Sequence, residues 1–391
     1  MNKIKEDPAL RWKLSMNGTS LLFSANGLQS ETDAGNAKFQ AVARMVEERV
    51  ASGSYVFRNL PSEMELAAET GVSRMTARKA LQHLIDKGVL IRPRHARVQI
   101  CPEYRQARPM QVAFLMPAAV SQDVQFWQWA VESTVAEFGG ALRPFILDDW
   151  SDLVLSDLLE GFDGVFMMQI GLHTPPEVLQ LISASPCPVV SLGTNLSPHS
   201  IPSISLFPPS AIHQLLDYLA GLGHHRIACL NTSPRDDIIE RRIQDVMDWR
   251  ETHDTTGTLI EYYRSGLPPD ASAILAYEEV GRLLEKKSLN ATALFCTTVW
   301  AAMGAIRAIR EHGLIVGRDI SVVAVNDEFL SPWLHPSLTA LRMAEPSTWM
   351  KKCAQWMTHP SSPWRGPLFM CPSKIRLFEG DSTGPCMNGK R

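Results

Sequence analysis

Residues 60–98 read LPSEMELAAETGVSRMTARKALQHLIDKGVLIRPRHARV, and the fold of the N-terminal part follows from this stretch. Ser62 and Glu65 stand three apart, so each side chain can bond the other's backbone amide, the capping box that opens a helix. Leu66 and Ala67 then face inward. Gly71 can take the left-handed conformation that ends a helix, and Val72 can close the corner. Ser73 is suited to cap a second helix. Ala77, Leu81, Leu84 and Ile85 recur at helical spacing and form its buried stripe, and Gly88 stops it. Arg74, Thr76 and Arg78 point outward from its first turns. A two-stranded wing is expected to follow, with its tip at residues 92–97. Upstream, Phe39, Val42, Ala43, Val46 and Val50 form the stripe of a helix over 38–52, and residues 55–57 suit a short strand.

A helix that offers Arg, Thr and Arg from its first turns suits the major groove of DNA. Arginine can bond the O6/N7 edge of guanine in bidentate fashion, and threonine can meet a phosphate or a thymine methyl. The residues alone leave open a plain helical hairpin with a solvated basic face. The runs Leu60-Pro61-Ser62-Glu63, Gly71-Val72-Ser73-Arg74, Thr76-Ala77-Arg78 and Gly88-Val89-Leu90 resemble the winged helix of GntR-family transcription regulators. The resemblance covers about residues 37–101. It implies that Ser62, Ser73, Arg74, Thr76 and Arg78 contact the operator, with Arg94, His95 and Arg97 on the wing. Two departures stand out. Met64 occupies the place of an arginine that touches DNA in the family, and the wing lacks the usual glycines.

Charge divides along the chain in the same way. Residues 37–109 hold 13 Lys and Arg against 7 Asp and Glu, a net of +6. The whole chain carries −3, so the rest sums to −9. A basic head on an acidic body fits a polyanion-binding module attached to a part that does not bind DNA. The seven cysteines are scattered, with no Cys-x-x-Cys pair, which points to a reducing cytoplasm rather than a disulfide or zinc framework. No apolar run is long enough for a transmembrane helix, and no apolar core follows the early charges as a secretory leader requires.

From residue 110 the pattern changes to short apolar strands between amphipathic helices. Strands are expected at 112–116, 142–147, 164–168 and 188–192, with helices at 126–138, 153–159 and 176–183 between them. A second series has helices at 212–222, 240–252, 273–285 and 300–312, and strands at 226–230, 259–263, 293–296 and 320–325. Such alternation implies parallel sheets covered on both faces, and two series imply two lobes with a ligand cleft between them. The expected fold is therefore α/β: an N-terminal winged helix-turn-helix, then a two-lobed periplasmic-binding-protein-like domain. The expected organisation is an extension at 1–36, the head at 37–101, a linker at 102–109, the body at 110–380 and a tail at 381–391.

Here Gly223-His224-His225-Arg226, Thr292-Ala293-Leu294-Phe295-Cys296, Asp319-Ile320-Ser321-Val322-Val323 and Pro336-Ser337-Leu338-Thr339 resemble the LacI/GalR-type effector domain. That resemblance implies a ligand touched by Phe126 and Trp127 as aromatic faces, by Arg242 as a clamp, and by Asn326 and Asp327 after a strand. Residue by residue, plainer readings stand beside these. Phe126, Trp127 and the nearby Trp129 suit a core, Arg241 and Arg242 a solvated face, and Asn326 and Asp327 a turn. Val299 and Leu192 stand where many members carry an aspartate. A pocket short of two carboxylates suits a modified or less polar sugar.

The expectation is a cytoplasmic homodimer that binds double-stranded operator DNA. It is a repressor whose affinity changes with a small effector, a sugar or sugar derivative, without cofactor or metal. The alternative keeps the head and makes the body a dimerisation scaffold without ligand. An enzyme is not expected, since no Gly-x-Ser-x-Gly, phosphate loop, Gly-x-Gly-x-x-Gly or His-Glu-x-x-His is present.

Overall fold

A computed structural model describes residues 31–51, 55, 60–93, 97–101, 104, 109–118, 122–152, 155–264, 271–360 and 362–387. The expectations for residues 1–30, for 56–57, for Arg94 and His95, and for most of the linker lie outside these residues.

The head comprises α1 (Glu31–Ala51), α2 (Glu63–Thr70), α3 (Arg74–Asp86) and a wing of antiparallel β1 (Leu90–Ile91) and β2 (Gln99–Ile100). The capping box forms: the Glu65 amide donates to Ser62 Oγ at 3.3 Å, and the Ser62 amide donates to the Glu65 carboxylate at 2.7 Å. Gly71 takes the left-handed conformation, φ 65°, that turns the chain from α2 into α3. Val46, Leu66, Ala77, Ala80, Leu81, Leu84 and Leu90 close one core. Burying a leucine such as Leu66 contributes roughly 1.5–3 kcal/mol. Two details differ from expectation. Ile85 is only partly covered. The first helix starts at Glu31, inside the stretch expected to be loose. Helix propagation past a packed stripe adds one hydrogen bond per residue.

The first lobe is built from β3 (Gln111–Pro117), α4 (Gln122–Glu137), β4 (Ala141–Leu147), α5 (Leu155–Gly161), β5 (Gly164–Met167), α6 (Pro176–Ala184), β6 (Val189–Leu192) and β7 (Ser203–Ile204). The second contains α7 (Ala211–Gly221), β8 (Ile227–Asn231), α8 (Asp237–Thr252), β9 (Leu259–Glu261), α9 (Ala271–Glu285), β10 (Ala293–Cys296), α10 (Val299–Glu311), β11 (Ser321–Ala324) and β12 (Thr339–Arg342). The chain then returns to the first lobe with α11 (Ser347–Met357) and β13 (Phe369–Met370), and ends in the second with β14 (Arg376–Phe378). The sheet orders are β13-β7-β6-β5-β3-β4 and β14-β12-β11-β10-β8-β9. Strands pair in parallel, save β14, which is antiparallel to β12. Met350, Cys353 and Met357 of α11 enter the core of the first lobe beside Val112, Phe114 and Trp127. In the second lobe α10 packs against α9 at Gly304, where a Cβ would stand 2.0 Å from the Ala273 carbonyl oxygen.

The body corrects three expectations. Helix α4 begins at Gln122, a turn before the expected start at 126. Returning elements α11, β13 and β14 were not anticipated; β13 and β14 are too short to carry a usable period, whereas the Met350, Cys353, Ala354 and Met357 stripe of α11 is legible. The tail assigned to 381–391 is part of the second lobe as far as Cys386. Ser382 is fully buried, the Val322 amide donates to its carbonyl oxygen at 2.8 Å, and the Cys386 amide donates to Leu222. Backbone and hydroxyl bonds do this stitching, so no apolar pattern announces it.

A candidate nucleic-acid interface and a candidate effector cleft

Ser73 caps α3 by accepting from the Thr76 amide at 3.1 Å, and its hydroxyl also meets the Thr76 hydroxyl at 2.8 Å. Thr76 is therefore half-buried against the cap, while Arg74 and Arg78 are exposed. Their side chains are 69% and 62% accessible. Beneath them lies Glu63 of α2. Its carboxylate stands 3.5 Å from Arg74 Nε, 4.0 Å from Arg78 Nε and 3.4 Å from Arg92 Nη2. One half-buried acid thus gathers arginines from α3 and from the wing. A groove of about 350 Å³ runs between them, lined by Pro61, Ser62, Met64, Arg74, Arg92 and Arg97 among others. Ser62, Arg74 and Arg97, expected at different points of the sequence, share this groove. Glu63 was missed by sequence reasoning, since nothing in an acid beside a helix cap reveals that three arginines converge on it.

The second constellation lies where the lobes meet. Helix α4 of the first lobe presents Asp123 and Phe126. From the second lobe come Asp236 and Arg242 of α8, and residues 326–329 after β11. Asp236 caps α8, accepting from the Ile239 amide at 2.7 Å. Arg242 donates from Nη1 to the Thr297 carbonyl at 2.6 Å, at the end of β10. Asp123, Asp236 and Glu328 all act electrostatically on this guanidinium. Asn326 bonds the Asp123 carboxylate across the gap and accepts from the Glu328 amide at 3.1 Å. A backbone bond from Gln122 reaches Glu328, and the rings of Phe126 and Phe329 stand 5.6 Å apart. Nearby, the Asp237 amide donates to the Leu172 carbonyl, and His173 Nδ1 meets Asp237 Oδ1 at 2.6 Å.

The electrostatics follow from this enclosure. Burial pushes the Asp123 carboxyl above its usual value, while Arg242 and the Asn326 amide pull it back. Burial, and next the charge of Asp123, push Glu328 up to about 7. Burial also raises Asp236 and Asp327. It lowers Arg242, against the three acids that favour its charged form.

Several expected ligand residues are brought together: Phe126, Arg242 and Asn326 belong to one network. Asp327 is 3% exposed, beside them in sequence, with one carboxylate oxygen unpartnered among the described residues. Trp127 is a correction. It is 1% exposed and belongs to the core of the first lobe with Val112, Phe114 and Met350, because it sits on the sheet-facing side of α4. Trp129 faces away at 61% exposure. Arg241 is the solvated neighbour, paired at 2.9 Å with Asp245. Val299 and Leu192 are fully buried. The carboxylates reach the cleft from elsewhere, as Asp123 and Glu328. Both were missed, although Asp-x-x-Phe on one helix face and Glu-Phe directly after Asn-Asp were legible as acid-plus-ring pairs.

A third surface carries an exposed tryptophan. Trp333 is 84% exposed. A groove of about 490 Å³ that includes the next residue, Leu334, is of mixed character, lined by Met303 and Ile306 and by Arg307, Arg310 and Glu311 of α10. Among the described residues no helix is long and apolar enough to cross a membrane, and no group of three or more His, Cys, Asp or Glu is placed to hold a metal ion.

Comparison with known proteins agrees with both parts. Residues 38–100 match the family described as bacterial regulatory proteins, gntR family, and residues 216–356 match the periplasmic binding protein-like domain. The chain is similar to the HTH-type transcriptional regulator AglR of Rhizobium meliloti, 25% identical over 297 residues, 70% of this chain and 79% of AglR. It is 21% identical over 338 residues to the arabinose metabolism transcriptional repressor of Halalkalibacterium halodurans, 78% of this chain and 84% of that protein. Among solved structures it resembles the lac repressor dimer bound to operator and the anti-inducer ONPF, with TM-score 0.60 and 18% identity over 73% of this chain and 99% of that one. A GntR-type winged helix thus precedes a periplasmic-binding-protein-like body.

Proposed function

We propose that this chain, a GntR-type head joined to a periplasmic-binding-protein-like body, is a sequence-specific DNA-binding regulator of transcription. It represses, and a small effector of the sugar class held between the lobes changes its affinity for the operator. The observation that carries this reading is the capped α3 displaying Arg74 and Arg78 over Glu63, on a head whose charge is opposite to that of the body. Bidentate arginine contacts from such a helix read base edges, and the wing arginines reach the phosphates. The interlobe network supplies the lever. Asp123, Gln122 and Phe126 meet residues 326–329 only when the lobes are together, so a ligand that binds the closed arrangement better shifts the lobes toward it. The operator response is bounded by that differential affinity.

The test is binding of the full chain to DNA from the region around its own gene, at two salt concentrations, with and without a pool of mono- and disaccharides. Selective binding that one sugar weakens is the expected result. Absence of selective binding would sink the reading of the head. One observation favours a second reading, in which the body is a scaffold without ligand: the protein's own acids already neutralise Arg242. Selective DNA binding indifferent to every sugar would support it.

The regulator is proposed to work as a homodimer on a near-palindromic operator, with recognition helices about one DNA turn, ~34 Å, apart. The exposed Trp333 and the nearby groove of mixed apolar and charged lining suit a second copy of this chain, in keeping with the dimeric lac repressor it resembles in fold. Buried tryptophans at interface centres contribute about 2 kcal/mol or more. Trp333→Asp should therefore weaken self-association by at least about 30-fold, as read by sedimentation, and lower operator affinity with it. A variant still dimeric at the wild-type concentration would place the interface elsewhere.

A further inference from the structure

The cleft carries more negative charge than its own cation balances. Three carboxylates, Asp123, Asp236 and Glu328, act on the one guanidinium of Arg242. Part of that guanidinium is already committed to the Thr297 carbonyl. Asp236 is occupied as a helix cap, which leaves Asp123 and Glu328 facing each other across the gap. Glu328 is 7% exposed, and its Oε2 has no hydrogen-bond partner among the described residues. The groups that face it are Asp123 from α4, Arg242 from α8, its neighbour Asp327, and the backbone of Gln122. A buried carboxylate with one oxygen left without a partner either keeps a proton or finds a cation.

Apolar surface flanks the acids. Phe126 stands one turn beyond Asp123 on the same helix, and Phe329 follows Glu328 directly. The two rings lie 5.6 Å apart, each on a residue close in the chain to one of the acids. A neutral polyhydroxyl ligand would meet the acids as a hydrogen-bond donor and leave their charge uncompensated. An ammonium group would compensate it, in an enclosed setting where Coulomb attraction exceeds its value in water.

We propose that the cleft takes an effector bearing a protonated amine on a ring with an apolar face, of the amino-sugar class, with Glu328 and Asp123 as counter-ions. This rests on the reading of the cleft as the effector site. It narrows that site's ligand from sugars in general to cationic ones.

The test uses the full chain and five probes: glucosamine, galactosamine, glucose, galactose and N-acetylglucosamine. The last keeps the nitrogen but not its charge. Binding is read by calorimetry at pH 7.5 for the native protein and for Glu328→Gln, which keeps the shape and removes the charge. The expected result is that at least one amine binds ten times more tightly than its neutral counterparts, and that Glu328→Gln removes the preference. Two results overturn the proposal while leaving the sugar sensor standing: neutral sugars binding as tightly as amines, or an amine preference unchanged in Glu328→Gln. Binding of none of the five, nor of any sugar in the wider pool, overturns both in favour of the ligand-free scaffold.

Discussion

Arg242→Met is expected to abolish the response to effector while leaving operator binding in place. Among the described residues the guanidinium is the one cation that Asp123, Asp236 and Glu328 share, and it ties α8 to the end of β10 through Thr297. Methionine keeps much of the volume and removes the charge. Breaking one partner out of a buried ionic network costs about 3 kcal/mol, because the remaining charges are left uncompensated. A shift of that size in the balance between lobe arrangements exceeds a hundredfold, so ligand binding no longer carries over to the head. Titration of effector against a protein–operator complex should then show no release at concentrations that dissociate the native complex. Arg241→Ala is the control, since Arg241 lies on the solvated face and pairs only with Asp245. A normal effector response from Arg242→Met would remove Arg242 from the coupling between the ligand and the head.

The same variant makes a statement about pH. Glu328 is raised from 4.5 to about 7 in the folded chain. The folded state therefore holds a proton that the unfolded state has released across that interval. Stability falls as pH climbs from about 4.5 to 7, and stays lower above it. Removing the Arg242 charge deepens this fall, since that charge draws Glu328 and Asp123 down. Thermal unfolding should show Arg242→Met closer to the native protein at pH 5.5 than at pH 8. An equal gap at both pH values would mean that the acids do not depend on Arg242.

Arg74→Ala should lose about 1–3 kcal/mol of discrimination between operator and unrelated DNA, a factor of roughly 5 to 150, if its fork reads a guanine. Affinity for unrelated DNA should fall much less, because that term counts phosphate contacts. The Glu63 carboxylate refines the expectation. It holds Arg74, Arg78 and Arg92 in one place before DNA arrives, and repels phosphate at the same time. Glu63→Gln should therefore tighten binding to random DNA and narrow the preference for the operator. Competition binding with operator and random duplexes reads both changes. Equal losses on the two DNAs in Arg74→Ala would make Arg74 a phosphate contact.

The head was legible almost residue by residue, because its signals are local. A capping box needs residues three apart, a left-handed turn needs one glycine, and a buried stripe needs a single helix. Arg242 and Asn326 could be singled out through resemblance, and the structure brings them to one network. Trp127 went the other way. An aromatic run at the start of a helix does not say which ring faces the sheet: Trp127 enters the core, while Phe126 packs at its edge and meets Phe329.

The sequence by itself determined the order of the parts: a basic winged helix, then an acidic body of alternating strands and helices. Periodicity, caps and charge act within a few residues, so they survive without a fold around them. Only the tertiary structure decided what meets across long separations. Asp123 and Glu328 lie about two hundred positions apart in the chain, and residues 381–386 close the second lobe through backbone and hydroxyl bonds. Enclosure raises the carboxyls of Asp123 and Glu328, the charge of Asp123 adds to the rise of Glu328, and no short-range pattern encodes either. The character of the cleft, more anionic than its replaced aspartates suggested, comes from burial and long-range approach.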